Sequence, residues 1–568
     1  MEEKTKTEIR LILSRFDPDK DKTPRLETHV IPLDKGMTIL DALFYVYENI
    51  DRSLSFNFGC RYGRCGVCAV NVNGKPTLIC QTLALPEMVL EPLPNYPVVR
   101  DLVIERANFG ERTLPFEPFL KKEGECVPSP DMQPEVLNPK EFDTFVKATR
   151  CVDCFSCNSI CPVIGVVKEE SQRGPNLMMQ MAPYLFDPRD SANRTAMLEE
   201  LAKMCLLCGT CAENCPKDLP IDEIIAKARA EVVAKKGLPF SKSFVLRTLL
   251  QSPRLLSLLL KGGSLLRGLF FKRVPAESGL QLRFPVGKMD PRRVLPELAG
   301  KFFMESAPRE APAAKEEKKA AFFVGCSINY LYPRIGEASL RVLNRRGVSV
   351  IIPEEQKCCG LPAYGCGDLE AARKLALANI EAFGKAGANQ VLVSCGSCCS
   401  HLKKGYPKLF EGAEAALQEK VSRFSDSIMD LTAYLSNRIV GTEAPRDGKC
   451  LRVTYHDSCH MKRKLGITEE PRAILRSLAE FVEMEDADRC CGMAGSFGLE
   501  NYDLSSKILA SKMEKVQKTG AEVLVTDCMG CLMQLQQGIH NHHLGMKTRH
   551  TIEVLDEMDC KREKGCLR

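Results

Sequence analysis

An α+β N-terminal half joined to a duplicated α/β C-terminal half is the fold this sequence predicts, on three observations. The cysteines fall into three blocks of regular spacing. The last block repeats itself. The apolar pattern passes from strands around one helix, through helical stretches, to alternating strands and helices. At 568 residues the chain exceeds one core, and ~150 residues per domain gives three or four domains. Hydrophobic residues at 44% and charged ones at 27% describe a folded chain, and a net charge of +6 offers no basic field for nucleic acid. Trp is absent, whereas Cys numbers 28, far more than packing needs. The opening Met1-Glu-Glu-Lys-Thr-Lys-Thr-Glu has no apolar signal core, and in a reducing compartment C-x2-C pairs are metal ligands rather than disulfides. A cytoplasmic metalloprotein is expected, without a spanning helix, because no apolar run reaches about 18 uncharged residues.

The first block is Cys60-x4-Cys65-x2-Cys68, followed after eleven residues by Cys80, the spacing of a plant-type [2Fe–2S] ferredoxin. Two strand-like runs (EIRLILSRF and RLETHVIPL) and a helical run (TILDALFYVYENI) precede it, a β-grasp order within residues 1–112. Gly59, Gly63 and Gly66 let backbone amides approach the cluster sulfurs, and x4 then x2 is a poor zinc spacing. From MTILDALFYVYENI through the cysteine loop to VVRDLVIE, residues 8–105 resemble the iron–sulfur subunit of succinate dehydrogenases and fumarate reductases.

The second block holds Cys151-x2-Cys154-x2-Cys157-x3-Cys161-Pro162 and Cys205-x2-Cys208-x2-Cys211-x3-Cys215-Pro216. These are two copies of the bacterial ferredoxin run, predicting a helical two-cubane domain over residues 113–240. In such runs the fourth Cys serves the other cluster. One [4Fe–4S] therefore falls to Cys151, Cys154, Cys157 and Cys215, the other to Cys205, Cys208, Cys211 and Cys161. The same family resemblance continues here with two departures. That family commonly lacks a Cys where this chain has Cys208, which implies a full four-iron centre of lower potential here. It also places a quinone-pocket Trp where this chain reads Val163-Ile164-Gly165, so a quinone site of that kind is not expected.

Residues 121–140 read as a Pro-rich connector, and 241–320 as amphipathic helices and a linker, the linker over 306–320. The Leu-rich, basic run 241–273 predicts two short helices broken by Pro253 and Gly262-Gly263. Packing against the cysteine domains is its first reading; docking another subunit and lying on a membrane surface are the others.

The third block is the repeat. Cys326 and Cys398 lie 72 positions apart, as do Cys459 and Cys531, and Cys358-Cys359-Gly360 answers Cys490-Cys491-Gly492. AFFVGC (321–326) answers VTYHDSC (453–459), and NQVLVSCGSC (389–398) answers AEVLVTDCMGC (521–531), each of the latter preceded by a helical pattern. A duplicated cysteine-rich (CCG) α/β domain over 321–568 follows, with repeats near 321–440 and 450–568. Gly360 and Gly492 suit the tight turn that aims two adjacent sulfurs inward.

These motifs resemble those of heterodisulfide reductase catalytic subunits. The resemblance implies two noncubane [4Fe–4S] clusters, each on five thiolates: Cys326, Cys358, Cys359, Cys395 and Cys398, then Cys459, Cys490, Cys491, Cys528 and Cys531. It makes these ten the catalytic residues, with a disulfide between the two centres, one sulfur to each, and two electrons arriving singly. A single zinc or a bare relay is the plainer alternative, although five donors exceed zinc's usual four. His456 and His460 flank Cys459 as proton donors or as structural residues. Cys366 and Cys399 read as bystanders, and Cys126, Cys450, Cys560 and Cys566 fall outside every motif. Lys403-Lys404 and Lys462-Arg463-Lys464 read as solvated surface, or as attractors of an anionic disulfide.

In this order in one chain, the parts resemble the iron–sulfur subunits of the thiol:fumarate reductase family. That implies an FAD-containing flavoprotein partner of the succinate dehydrogenase/fumarate reductase type, and fumarate reduction coupled to oxidation of two thiols. No G-x-G-x-x-G follows a strand and opens a helix, so FAD is expected on the partner only. Two alternatives stay open. One is a subunit of a succinate:quinone oxidoreductase or glycolate/lactate-type oxidase, its CCG domain relaying electrons to a membrane-anchor or other electron-transfer subunit. In that case the chain would be peripheral on the cytoplasmic face of the membrane. The other is a stand-alone carrier.

Overall fold

The computed structural model describes residues 7–106, 109–121, 139–167, 173–274, 279–287, 289–439 and 451–563, in two compact units, Met1–Val232 and Val233–Arg568. Cys126, Cys450 and Cys566 lie outside the described residues, as does most of the connector expected at 121–140.

In the first unit, strands Thr7–Arg15 and Arg25–Leu33 form an antiparallel pair, and helix Ile39–Asn49 follows, as the sequence pattern predicts. Thr38 caps that helix: its hydroxyl accepts from the Asp41 N–H while the Asp41 carboxylate accepts from the Thr38 N–H. Ile9, Leu11 and Leu13 alternate inward onto Ile39, Leu43 and Val46, all completely buried. The sheet is completed by Glu87–Glu91, parallel to the first strand, then Ala69–Val72 and Lys75–Leu78. The rest of this unit is helical, with Pro139–Thr149, Pro175–Leu185, Thr195–Ala202 and the start of Ile221–Lys236 around a Met- and Leu-rich core.

The second unit contains the duplication. Lys318–Phe323 pairs in parallel with Val348–Ile351 and Val391–Val393, and the latter with Ile428–Asp430. Arg452–Tyr455 pairs in parallel with Glu480–Phe481 and Val523–Val525, and the latter with Lys547–Arg549. The two strand orders match. The central VLV strands are buried throughout, as parallel strands covered by helices on both faces must be. Helices Pro333–Arg345 and Thr551–Glu563 join the repeats, sharing one apolar core and pairing Arg341 and Arg345 with Asp556.

The segment 241–320 differs from expectation in three ways. First, Pro253 does begin a helix, but Gly262-Gly263 lie inside it, and it runs on to Leu265; a helix interior tolerates Gly at about 1 kcal/mol each. Second, Phe271–Val274, Gly279–Leu282 and Val294–Leu295 form a small antiparallel sheet. Beside it Arg293 is buried in the second repeat, donating to Gln534 Oε1 (2.7 Å) and Ser505 Oγ (3.1 Å). Third, the stretch 306–320 is not simply a linker, because Glu310–Ala311 adds an antiparallel edge strand to the first repeat. Just before it, the ring of Phe303 fills the space that Gly336 leaves open. No local period marks these contacts, which are made by backbone pairing, one buried guanidinium and one ring.

Candidate functional site

The first cysteine loop is built by backbone that only glycine adopts freely: Gly63 and Gly66 have φ of 73° and 70°. The amides of Arg64 and Cys65 donate to Cys60 Sγ at 3.2 and 3.3 Å, and Cys68 Sγ lies 3.4 Å from Cys80 Sγ. Donation from the Tyr62 amide, then from Arg64 and Cys65, lowers the Cys60 thiol to about 6. At Cys60 the loop thus favours a thiolate, whereas burial pushes Cys68 up to about 12.

The two C-x2-C-x2-C runs fold alike. Asp153 and Phe155 in the first, and Leu207 and Gly209 in the second, take positive φ at matching positions, and a one-turn helix follows each, Ser156–Ser159 and Thr210–Glu213. Cys154 Sγ lies 3.3 Å from Ser156 Oγ, and Cys208 Sγ lies 3.3 Å from Thr210 Oγ1. Cys208 therefore has the setting of an ordinary ligand. Cys161 lines one cavity with Cys205, Cys208 and Cys211. Burial, then the charges of Cys208 and Cys205, push Cys161 up to about 12; burial and then Cys154 raise Cys215. Each fourth cysteine faces the other run's set. Ionised as ligands, thiols buried this deeply would need a compensating cation, which iron would supply.

The first two cysteine sites meet at Gly66. A methyl group placed there would overlap the Val152 carbonyl oxygen and lie 3.0 Å from the Cys154 amide nitrogen. Arg106, which no motif marks, ties the loops by donating to the carbonyls of Gly66 (3.1 Å) and Asp153 (3.4 Å).

In the duplicated domain the cysteines sit where parallel strands end, the usual place for a site in such sheets. Cys326, Cys395, Cys459 and Cys528 follow the strands ending at Phe323, Val393, Tyr455 and Val525. Gly360 and Gly492 have φ of 90° and 89°. A side chain on Gly492 would press on the Ser505 carbonyl at 2.9 Å. Thiol–thiol interactions link Cys326 with Cys358, Cys358 with Cys359, Cys359 with Cys398 and Cys398 with Cys395. From Cys395 the run crosses into the second repeat through Cys528, then Cys531, Cys491 and Cys490. Cys491 Sγ is 3.5 Å from Cys531 Sγ. Cys459 is buried in the same end. Cys366, by contrast, lies against Ser496 (3.6 Å).

His456 is completely buried with both ring nitrogens unpartnered, and one of them lies within 4.8 Å of the Cys491 and Cys531 sulfurs. His460 Nδ1 is 3.3 Å from Ser397 Oγ, which is 2.9 Å from Cys528 Sγ. Lys462 and Arg463 are both spent on Asp488, at 2.5 and 2.9 Å, so that basic pair is structural. Sequence reasoning missed His401, a buried ring whose unpartnered Nε2 faces the Gly360 turn and which burial lowers to about 3. It also missed Lys512, buried and donating to the Asp486 and Ala487 carbonyls just before the Cys490-Cys491 pair.

Asp430 ends the strand beside this site. Its Oδ1 accepts from the Thr432 and Ala433 amides while its Oδ2 has no partner, and burial, then Asp527, raise it from 3.8 to about 8. A raised folded-state pKa means the folded chain keeps a proton that the unfolded chain releases. Stability tied to this group is full below the unfolded value and is lost as pH rises through 8. Asp430→Asn is expected to flatten that decline, measured as unfolding midpoints across pH 5 to 9 under anaerobic conditions; an unchanged slope would refute it.

Fold and site together define an iron–sulfur electron-transfer protein built of a two-iron domain, a dicluster domain and a duplicated cysteine-rich domain. Family models match each part: a 2Fe-2S iron-sulfur cluster binding domain at 10–111, a 4Fe-4S dicluster domain at 147–219, and a cysteine-rich domain at 320–403 and 453–536. The chain belongs to the family of a fumarate reductase (CoM/CoB) subunit of Methanothermobacter marburgensis. It is 30% identical to that protein over 554 residues, covering 96% of this chain and 99% of the relative. It is also 30% identical over 426 residues to a probable glycolate oxidase iron-sulfur subunit of Bacillus subtilis, covering 72% of this chain and 93% of the relative. A hypothetical protein from Helicobacter pylori shares the fold, with a TM-score of 0.53 at 12% identity over 98% of this chain and 97% of that one. Among the described residues no helix is long and apolar enough to cross a membrane.

Proposed function

We propose that this chain is the thiol/disulfide-active iron–sulfur subunit of a fumarate reductase-type complex, linking an FAD-bearing partner to a thiol/disulfide couple. The observation that supports the reading is the thiol run from Cys326 to Cys490, in which the five cysteines of the first set and four of the second meet at Cys395 and Cys528. A relay needs no such pair of facing sets, whereas a disulfide has two sulfurs to be met.

In this reading Cys60, Cys65, Cys68 and Cys80 hold a [2Fe–2S] cluster. Cys151, Cys154, Cys157 and Cys215 hold one cubane, and Cys161, Cys205, Cys208 and Cys211 the other. The two five-cysteine sets hold noncubane clusters. When bound, these groups supply one-electron storage and, in the last pair, iron that takes thiol sulfur. The chain's own groups do the rest. Amides of Arg64 and Cys65 hold the Cys60 sulfur as an anion, Ser397 is placed to hydrogen-bond Cys528, and His456 offers a buried nitrogen beside Cys491 for the thiol proton. Overall, two thiols lose two protons and two electrons to form one disulfide, and fumarate gains both as succinate.

The purified complex with its flavoprotein is expected to reduce fumarate with dithiols or paired thiols and not with quinols. Turnover on quinol alone would overturn the reading. Cys208→Ser is expected to cost about one iron per chain and to raise the potential of that centre; iron analysis and redox titration read both, and unchanged values would remove Cys208 from the ligand set.

A further inference from the structure

Residues 240–273 contain Lys242, Arg247, Arg254, Lys261, Arg267, Lys272 and Arg273 and not one acidic residue. The structure sets the central part of this run outside any core: helix Pro253–Leu265 and the turn Arg267–Phe270 bury no side chain. One side of the helix is tethered, with Ser257 Oγ 3.2 Å from the Tyr330 hydroxyl and Lys261 paired to Glu305 at 2.7 Å. The other side is a stripe at helical spacing, Leu255, Leu258, Leu259, Leu266 and Leu269, with Leu258 68% and Leu269 64% exposed and Leu265 beside them at 86%. Phe270 and Phe284, their rings 5.7 Å apart, extend it. Among the described residues Arg254, Arg267 and Lys272 make no ion pair.

We propose that this face lies on an anionic lipid surface, with the Leu stripe in the acyl boundary and Arg254, Arg267 and Lys272 at the phosphates. Charge selects lipid over protein. Every charge that the run 240–273 itself carries is positive, and Glu305 and Glu297 beside it are already paired with Lys261 and Arg273, so the charges left over suit an anionic plane. At 1.5 Å per residue the helix spans about 20 Å, enough to lie in the interface and too short to cross the bilayer. The tether through Ser257 and Lys261 turns the Leu stripe outward whether or not lipid is present.

The test is co-sedimentation of the iron-loaded full chain with sucrose-loaded vesicles of phosphatidylcholine, with and without about 30% phosphatidylglycerol. Binding to the anionic vesicles is expected. It should fall at least about tenfold on plain phosphatidylcholine or in about 0.5 M salt, and by a similar factor in the double variant Leu258→Glu/Leu259→Glu. Both leucines are solvent-exposed, so iron content and visible spectrum should stay unchanged in that variant, separating lost binding from lost folding. No sedimentation with either vesicle overturns the proposal, as does binding that the variant leaves intact. A variant that sheds the flavoprotein on size-exclusion chromatography, while vesicles never bind, assigns the face to protein instead.

Discussion

Cys491→Ser is expected to lower thiol-dependent fumarate reduction by at least about 100-fold, while the sites at Cys60–Cys80 and Cys151–Cys215 keep their iron. Loss of a partner that merely orients a ligand already costs 10- to 100-fold in related metal sites, and here a ligand itself is removed. Cys491 and Cys528 are the two second-repeat thiols held toward the thiolate. Interactions with Cys490, then with Cys531, hold the Cys491 sulfur well toward the thiolate, and buried His456 adds to both. A serine hydroxyl in that place ionises far less readily and is a harder donor to iron. The variant should also lose the paramagnetic state that thiol treatment develops in the native protein. Cys366→Ser is the control, because Cys366 lies against Ser496 rather than in the thiol run; its activity should stay near native. Full activity in Cys491→Ser would remove the second five-cysteine set from the reaction.

Gly66→Ala should have the largest effect on folding of any single methyl group added to the first unit. A φ of 70° costs an L-residue about 1–2 kcal/mol, and the added carbon overlaps the Val152 carbonyl, which overpacking estimates put at a further 1–3 kcal/mol or so. The two cysteine loops must then part, stretching the Arg106 contacts to both. Gly74→Ala carries the first contribution alone: its φ is 80°, but nothing lies within 4 Å of the added carbon. Unfolding midpoints should therefore drop clearly more for Gly66→Ala, and iron content should fall only there. Equal losses in the two variants would mean that backbone conformation, not loop contact, constrains Gly66.

Local chemistry carries the legible part of this protein. Thiolate spacing is a short-range demand, so Cys60-x4-Cys65-x2-Cys68 and the two C-x2-C-x2-C-x3-C-P runs announce their loops without neighbours. The amphipathic period likewise announces helices Leu369–Lys385 and Tyr502–Lys518. The edge strand Glu310–Ala311 was invisible because two residues are too short to show a period, and only Ala311 reaches the core. The buried Arg293 was invisible because no local pattern reports a guanidinium whose partners lie some two hundred residues away.

The order of cysteines along the chain was thus enough to name the kinds of site and the duplication, since each cluster loop obeys its own steric rules. The ferredoxin run already sent Cys161 to the second set, where it lines one cavity with Cys205, Cys208 and Cys211. Folding alone decided that Cys395 reaches Cys528 across the repeats and that Gly66 meets Val152, contacts between segments that no spacing connects. It also decided that the Leu-rich helix stays uncovered, because burial depends on what the rest of the chain offers to a face, and here Ser257 and Lys261 hold the polar side inward.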